Sequence, residues 1–348
     1  MTIADCKLQI ERYIRQIRYP PLGQEGQRRL GSARALICGC GALGSAIANT
    51  LVRAGVGKVR IVDRDFVELS NLARQTLFDE ADATAGTPKA VAAAEKLRRI
   101  NSSVEIEPVV ADVNHANIER LCQGVDAIVD GTDNFQTRFL INDAAVKLRL
   151  PWVYGGCLGA EGQTMPILPG ETACLRCVMD TCPPPGSTPT CDTAGILGPV
   201  VGVIASIQAM EAIKILSGNR QAVSRHLTVV DLWRNQIKQV DVSRLRDQSD
   251  CPTCKRGELP WLAGREGGQT AVLCGRNAVQ LTHPGTNISL AELAKRLERV
   301  GSVTLNDYLL RLKAPPHEIT IFADGRAIIS GTNDVALARS IYAKYIGA

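Results

Sequence analysis

The apolar positions in the first half of the chain form short runs that alternate with longer, amphipathic segments. The first run, Ala33 to Cys38, has the length of a buried strand, and an Ala/Leu-rich segment follows it and ends at Gly55 or Gly57. Later runs of the strand type are KVRIVD, VEIEPVVAD, VDAIVDGTDN and PWVYGGCLG, with helical patterns between them. Strands that alternate with helices predict an α/β fold with a mostly parallel sheet.

The pattern changes in the second half. Residues 171–195 are rich in Pro, Gly, Ser and Thr and predict a long loop, and a long helix is expected from about Pro199 to Leu216. HLTVVDLWRNQIKQVDV predicts a hairpin, so the sheet is expected to continue into antiparallel strands. The last segment has the order strand, helix, two strands, helix, which predicts a small α+β domain. The predicted organisation is therefore a main domain, a linker and an accessory domain, at residues 1–257, 258–266 and 267–348.

Composition narrows the class of protein. The chain has 348 residues, 45% hydrophobic and 22% charged, which fits two globular domains. The net charge of +5 is spread along the chain, so we expect no direct nucleic-acid binding. Asp5 and Glu11 stand where a signal peptide would be apolar, and Gly-Pro interrupts the longest apolar run, which favours a buried helix over a membrane span. We therefore expect a cytoplasmic protein whose twelve cysteines are reduced.

Two CxxC pairs lie in separated segments, at Cys174 and Cys177 and at Cys251 and Cys254. In a reducing compartment, four cysteines in two such pairs predict a tetrahedral Cys₄ zinc site, which is structural because it leaves no open position. The alternatives are a redox-active CxxC or four reduced thiols without metal.

A glycine loop follows the first predicted strand and precedes a helix. Gly39, Gly41 and Gly44 form the GxGxxG pattern, which lets backbone N–H groups approach phosphates at a helix N-terminus. Asp63 ends the next strand, where it can accept ribose hydroxyls. The motif predicts a Rossmann-like nucleotide site but does not choose the nucleotide.

Three charged residues favour ATP. Arg74 follows a polar turn, and Lys89 lies in the first turn of a helix, where a cation opposes the helix dipole unless an anion meets it. Asp133 lies at the carboxyl end of a strand, and a carboxylate beside phosphates suggests Mg²⁺. A surface lysine, a solvated arginine and a helix-capping aspartate are the alternatives. An NAD-dependent oxidoreductase would use the same glycine loop and remains the competing function.

Several stretches together resemble the E1-like adenylyltransferases of the ThiF/MoeB/HesA family, which activate ubiquitin-like sulfur carriers. They are RYIRQI, GCGALGS, DRDFVELSNLARQ, TPKA, DGTDN, both CxxC pairs and TCDTAGILGPVVGV, and they span roughly residues 11–255. The resemblance implies adenylation of the C-terminal Gly-Gly carboxylate of a small β-grasp carrier of the ThiS/MoaD type, with release of pyrophosphate. It also implies zinc at the four CxxC cysteines.

The resemblance assigns roles to single positions. It implies that Asp133 organises Mg²⁺ and that Arg15 reaches into the ATP site of a second subunit, so a homodimer is expected. The residues implied to bind the nucleotide are Gly39, Gly41, Ala42, Gly44, Asp63, Asp65, Asn71, Arg74, Gln75, Lys89, Asp133 and Asn134.

Cys191 lies between the predicted loop and a helix start, a position that favours a nucleophilic thiolate. In ThiF and in the sulfurtransferase-fused relatives the matching cysteine forms a covalent link with the carrier, whereas MoeB-type enzymes manage without it. The alternative is a small buried apolar residue. Cys182 is a weaker candidate, and a sulfurtransferase is a further expected partner.

Two other functions share parts of this pattern. One is a silent module that only binds a ubiquitin-like protein, and the other is an E1-like enzyme that activates a small molecule or acts in tRNA modification. Residues 267–348 lie outside the resemblance; their one cysteine, Cys274, falls in an apparent strand, which argues against a rhodanese domain. We expect this segment to dock the carrier or the second subunit.

Overall fold

The structure, a computed structural model, describes residues 11–184, 194–266, 270–273, 277–281 and 288–347. These residues fall into two compact units. The first lies within Met1–Pro183 and Ile196–Glu266, and the second within Pro184–Gly195 and Gly267–Ala348.

The first unit is built on an eight-stranded sheet in the order β3-β2-β1-β4-β5-β6-β7-β8. Its first five strands in that order pair in parallel, and β6, β7 and β8 continue it antiparallel. The predicted change from parallel to antiparallel pairing is thus confirmed. The strands are Arg34–Cys38 (β1), Lys58–Asp63 (β2), Glu105–Val110 (β3), Ala127–Asp130 (β4), Trp152–Leu158 (β5), Glu161–Ile167 (β6), His226–Asp231 (β7) and Gln236–Asp241 (β8).

Helices cover both faces of this sheet. They are 11–17 (α1), Gly23–Ser32 (α2), Ala42–Ala54 (α3), Glu80–Ala85 (α4), Lys89–Ile100 (α5), Ile118–Leu121 (α6), Phe135–Leu148 (α7), Leu175–Val178 (α8), Gly198–Leu216 (α9) and Leu245–Gln248 (α10). Along β1, Ile37 joins one core with α3, α5 and α9, while its neighbour Leu36 joins a second core with α7. Successive strand residues point to opposite faces, which explains why the four buried residues of β1, Ala35 to Cys38, are all apolar.

Of the described helices, α9 is long and apolar enough to cross a membrane by length and composition. More than half of its most apolar window, 56%, is buried, and its residues pack in the core beside α3, as expected for a core helix.

The second unit has more strands than the sequence predicts. The TAVLCGRNAVQLT and HEITIFADGRAIIS segments, each expected to be one strand, contain β9 with β10 and β13 with β14, because turns at Asn277 (φ 46°) and Gly325 (φ 82°) divide them. The antiparallel sheet has the order β11-β12-β13-β14-β10-β9. Its elements are Thr270–Leu273 (β9), Ala278–Leu281 (β10), Leu290–Leu297 (α11), Ser302–Leu305 (β11), Leu309–Ala314 (β12), His317–Phe322 (β13), Ala327–Ser330 (β14) and Val335–Tyr345 (α12).

Residues 258–266, which the sequence predicts as a linker, belong to the first unit. Asp143 Oδ2, on α7, accepts hydrogen bonds from the backbone N–H groups of Trp261 (3.0 Å) and Leu262 (3.3 Å). The Trp261 ring also lies 5.7 Å from the ring of Phe139. This segment includes an aromatic anchor, Trp261, which the linker prediction did not take into account.

Candidate active site

The glycine loop, residues 39–44, joins β1 to α3, and packing requires two of its glycines. Gly39 has φ 87°, and a Cβ there would lie 2.6 Å from the carbonyl oxygen of Gly131. A Cβ on Gly44 would lie 1.9 Å from the carbonyl oxygen of Gly39. The loop therefore folds tightly on itself and against the turn that follows β4, which brings the carboxyl ends of β1 and β4 together.

Gly41 is different, because close packing does not require glycine at this position. Its φ is −77°, and the nearest atom to an added Cβ would be Gln75 Nε2 at 3.9 Å. Gln75 is only 4% exposed, and its Oε1 has no hydrogen-bond partner among the described residues. Helix α3 begins here without a side-chain cap and without an acidic residue in its first turn. The Gln75 Nε2 donor and the first N–H groups of α3 fit a phosphate group beside Gly41.

Asp63, at the carboxyl end of β2, binds the glycine loop. Its Oδ2 accepts from the Cys40 N–H at 2.6 Å, and its Oδ1 accepts from the Asp65 N–H at 2.7 Å. Burial raises the pKa of Asp63, and the nearby charge of Lys89 opposes that shift. Burial, reinforced by Asp63, also raises the pKa of the Cys40 thiol, so this cysteine is held as an unreactive thiol.

Lys89 is the first residue of α5 and so lies in the first turn, as predicted, and its burial excludes the alternative of a surface lysine. It is 3% exposed, and its Nζ lies 3.3 Å from Asp65 Oδ2. Its backbone N–H donates to the Asp65 carbonyl oxygen at 2.9 Å. Helix α5 has neither a side-chain cap nor an acidic residue in its first turn. A buried cation therefore stands at an uncapped helix N-terminus, held by a carboxylate that follows β2.

The polar turn before Arg74 is held by its own hydrogen bonds. Arg74 Nη1 donates to the carbonyl oxygen of Ser70 at 2.9 Å, and the buried Asn71 accepts from the Glu68 N–H at 3.1 Å. The predicted contacts of Arg74 and Asn71 with phosphates stay predictions.

Asp133 is exposed on the turn that follows β4, and Asn134 has a structural task. Asn134 is the N-cap of α7, where its Oδ1 accepts from the Thr137 N–H at 2.8 Å. Helix capping was the alternative role for Asp133, and the structure gives that role to its neighbour Asn134.

Asp130 and Arg138 were missed by sequence reasoning. Asp130 Oδ1 accepts from the N–H and hydroxyl of Thr132 at 2.8 and 2.7 Å, and Arg138 Nε lies 3.2 Å from Asp130 Oδ2. Arg138 Nη2 also donates to the Thr132 carbonyl oxygen at 2.7 Å. Both residues are buried, and together they fix the turn that carries Asp133. The sequence signal that could have found them is a charged residue within an apolar stretch. Asp130 ends the apolar strand β4, and Arg138 lies in the apolar part of α7.

Helix α1 holds Arg15 on the surface. Tyr13 accepts a hydrogen bond from Asn101 Nδ2 at 2.8 Å, and Gln16 Nε2 donates to the Ala54 carbonyl oxygen at 2.9 Å. Arg15 lies between these anchors with an exposed side chain. Cys191 and its neighbours fall outside the described residues.

The two CxxC pairs converge, as the zinc prediction requires. The Sγ atoms of Cys174, Cys177, Cys251 and Cys254 all lie within 4.8 Å of one another, with separations of 3.5, 3.6 and 3.8 Å among them. Four thiolates at the usual Zn–S distance of 2.3 Å stand about 3.8 Å apart in a tetrahedron. The cluster therefore fits zinc.

Helix α7 supports this cluster. Asn142 Nδ2 donates to Cys174 Sγ at 3.7 Å, and its Oδ1 accepts from the Leu175 N–H at 2.9 Å. Donors to sulfur and orienting contacts of this kind are typical around metal ligands. One helix thus connects the zinc cluster with the turn that carries Asp133.

A glycine loop at the carboxyl edge of a parallel sheet and a Cys₄ cluster are the features of an E1-like adenylyltransferase architecture. The chain belongs to the ThiF family, whose profile matches residues 13–253.

Relatives agree with this assignment. The sulfur carrier protein ThiS adenylyltransferase of Bacillus subtilis is 45% identical over 338 residues, covering 97% of this chain and 99% of the relative. Because the ThiF profile ends at residue 253, that alignment extends into the second unit. The adenylyltransferase and sulfurtransferase MOCS3 of Sus scrofa is 39% identical over 300 residues, or 84% of this chain and 64% of MOCS3.

Solved structures show the same fold. The Escherichia coli MccB crystal structure with MccA-N7isoASN matches with a TM-score of 0.61 and 22% identity, covering 71% of this chain and 74% of MccB.

Proposed function

We propose that this enzyme uses ATP to adenylate the C-terminal Gly-Gly carboxylate of a small ubiquitin-like sulfur carrier of the ThiS/MoaD type. The products are the acyl-adenylate and pyrophosphate. The observation that carries the proposal is the start of α3 at Gly41, which has no side-chain cap and where, among the described residues, the nearest atom to an added Cβ is the amide donor Gln75 Nε2 at 3.9 Å. The ThiS and MOCS3 relatives favour this function over an NAD-dependent oxidoreductase.

The residues around Gly41 suit a triphosphate. The first-turn N–H groups of α3 would face phosphate oxygens near Gly41, and Lys89 would supply a cation. The carboxylate oxygen of the carrier attacks the α-phosphorus of ATP, and the bond from that phosphorus to the bridging oxygen breaks to release pyrophosphate. The protein's part is to hold the two anions in line and to balance their charge.

Mg²⁺ and a second subunit complete the proposed site. Asp133, exposed on a turn that Asp130 and Arg138 fix, is the residue we assign to Mg²⁺. When bound, the ion would screen the phosphates. Arg15, exposed on an anchored helix, is assigned to the ATP site of the partner in a homodimer.

A second step on Cys191 is part of the proposal. Its thiolate would attack the carbonyl carbon of the acyl-adenylate, forming a thioester as the bond to AMP breaks and AMP leaves. A sulfurtransferase would then supply sulfur. We place this chemistry in the cytoplasm, where thiols stay reduced.

The test is ATP–pyrophosphate exchange with Bacillus subtilis ThiS as the probe. We expect exchange that needs both Mg²⁺ and the carrier, and that disappears when the last glycine of the carrier is removed. Lys89→Ala and Asp133→Ala should each lower exchange at least about a hundredfold, the scale of one lost electrostatic contact at a reacting phosphate. Cys191→Ala should leave exchange intact. Exchange that persists in both charge variants would refute the assigned site.

A further inference from the structure

Arg64, the residue after Asp63, has no role in the site as described so far. Its Nη1 lies 3.1 Å from Asp112 Oδ1, just beyond β3, and its Nε lies 3.8 Å from Asp65 Oδ1. The Arg64 side chain is 23% exposed and that of Asp65 is 18% exposed, so this ion pair is largely removed from water.

Asp65 therefore faces two cations through different oxygens. Its Oδ1 faces Arg64, and its Oδ2 faces Lys89 at 3.3 Å. Burial lowers the pKa of Arg64, but Asp112, Asp65, Asp133 and Asp63 raise it by more, which shows how much negative charge surrounds the guanidinium.

This arrangement raises a question about ATP binding. Lys89 must direct its ammonium group at a phosphate to act as proposed, yet it is 3% exposed and paired with Asp65. If Lys89 left a largely buried carboxylate without a counter-charge, the cost would oppose binding, because an unpaired buried charge is strongly destabilising.

We propose that Arg64 is a positioning residue that keeps Asp65 neutralised, so that Lys89 can turn from Asp65 to the phosphates of ATP. The inference rests on the proposed function. Asp112 anchors Arg64 both without and with bound ATP. The Asp112 contact therefore does not change the ATP affinity and contributes to the stability of the fold. The contact between Arg64 and Asp65 does affect the ATP affinity, because it stabilises the Asp65 carboxylate more strongly once Lys89 has turned to the phosphates.

The proposal predicts a specific set of ATP affinities. Arg64→Met should weaken Mg-ATP binding about tenfold, while the exchange rate at saturating ATP changes less than about twofold, the signature of altered binding rather than altered chemistry. Arg64→Lys keeps the charge and should stay within about threefold of the wild type. The matched control is Arg60→Met on β2, the strand that Arg64 follows. Arg60 Nε pairs with Glu107 at 2.9 Å, and this substitution should leave the affinity unchanged.

A double-mutant cycle separates this role from general electrostatics. In an Asp65→Asn background Lys89 no longer leaves the Asp65 carboxylate behind, and Arg64 has no Asp65 charge to neutralise, so adding Arg64→Met should change Mg-ATP affinity less than about twofold. Asp112→Asn removes the anchor but keeps the Arg64 charge near Asp65, and it should weaken binding less than about threefold while lowering thermal stability.

Calorimetric titration with Mg-ATP, with thermal unfolding as a check on folding, measures all of these variants without a carrier. Equal losses from Arg64→Met in the wild-type and Asp65→Asn backgrounds would overturn the proposal, as would an Asp112→Asn loss as large as that of Arg64→Met. A wild-type protein that binds Mg-ATP but shows no carrier-dependent exchange would refute the proposed function. The comparison of Mg-ATP affinities among the variants would still test the role of Arg64. A wild-type protein that binds no Mg-ATP would refute both.

Discussion

Gly41 and Gly44, at the start of α3, test whether a phosphate lies beside Gly41, because close packing requires glycine at only one of the two positions. A methyl group on Gly44 would lie 1.9 Å from the Gly39 carbonyl oxygen, whereas the atom nearest to one on Gly41, among the residues that the structure describes, is Gln75 Nε2 at 3.9 Å. We therefore expect Gly41→Ala to fold and Gly44→Ala to be destabilised by several kcal/mol, on the order of the largest single-substitution effects.

The size of the Gly41 effect follows from contact distances. Glycine is preferred over alanine at an N-cap, so Gly41→Ala should cost about 0.5–1 kcal/mol of unfolding free energy. A phosphate oxygen sits about 2.9 Å from a backbone nitrogen that it bonds. A methyl carbon needs about 3.5 Å from any such atom, so the added group would displace the phosphate by several tenths of an ångström. We expect Mg-ATP affinity to fall at least about tenfold, or ~1.4 kcal/mol.

Thermal unfolding and calorimetric titration with Mg-ATP measure the two effects separately. Gly31→Ala is the matched control, since Gly31 lies in α2 and an added Cβ meets no atom of the described part of the chain within 4 Å. It should leave Mg-ATP affinity unchanged. A folded Gly41→Ala protein with wild-type affinity would show that no phosphate lies beside this residue.

Two further predictions concern the zinc cluster and the helix beside it. Purified protein should contain about one zinc per chain, and Cys251→Ser should lose it and unfold at a markedly lower temperature, since such sites contribute on the order of ten kcal/mol; metal-free protein with four freely titrating thiols would contradict this. Burial raises the pKa of Asp143 from 3.8 to about 6, so its contribution to stability is full below about pH 4 and is lost as the pH rises to 6, by about 3 kcal/mol. Asp143→Asn should remove that decline in urea unfolding between pH 4 and 7, and an unchanged pH dependence in the variant would be incompatible with a raised pKa.

The sequence predicted those parts of the fold that local patterns encode. The run Ala33 to Cys38 corresponds to β1, Arg34–Cys38, because a strand buried on both faces is apolar at its buried positions, here Ala35 to Cys38. The long helix expected from Pro199 to Leu216 is α9, one residue longer at its start. The convergence of four cysteines also followed from spacing, because the tetrahedral geometry of zinc limits the alternatives.

Contacts between residues that the fold brings together at the ends of strands could not be predicted from local sequence patterns. Lys89 was expected at a helix start, but its carboxylate partner Asp65 is 24 residues earlier, and only the fold brings the two together. The pairing of Asp130 with Arg138 was missed for a similar reason, since their separation of eight residues spans a turn and the first part of α7. The extra strands of the second unit were missed because single turn residues, Asn277 and Gly325, divide apparently continuous patterns.

The most direct test of the central claim, that a triphosphate is activated above the glycine loop for attack by a carrier carboxylate, is the intact mass of the carrier after reaction. ThiS of Bacillus subtilis is incubated with this enzyme, Mg-ATP and pyrophosphatase, and analysed by mass spectrometry under mildly acidic conditions that preserve acyl phosphates. We predict a carrier species heavier by one AMP less one water, absent with Lys89→Ala enzyme. An unmodified carrier, together with enzyme that binds NADH and ignores Mg-ATP, would contradict the account.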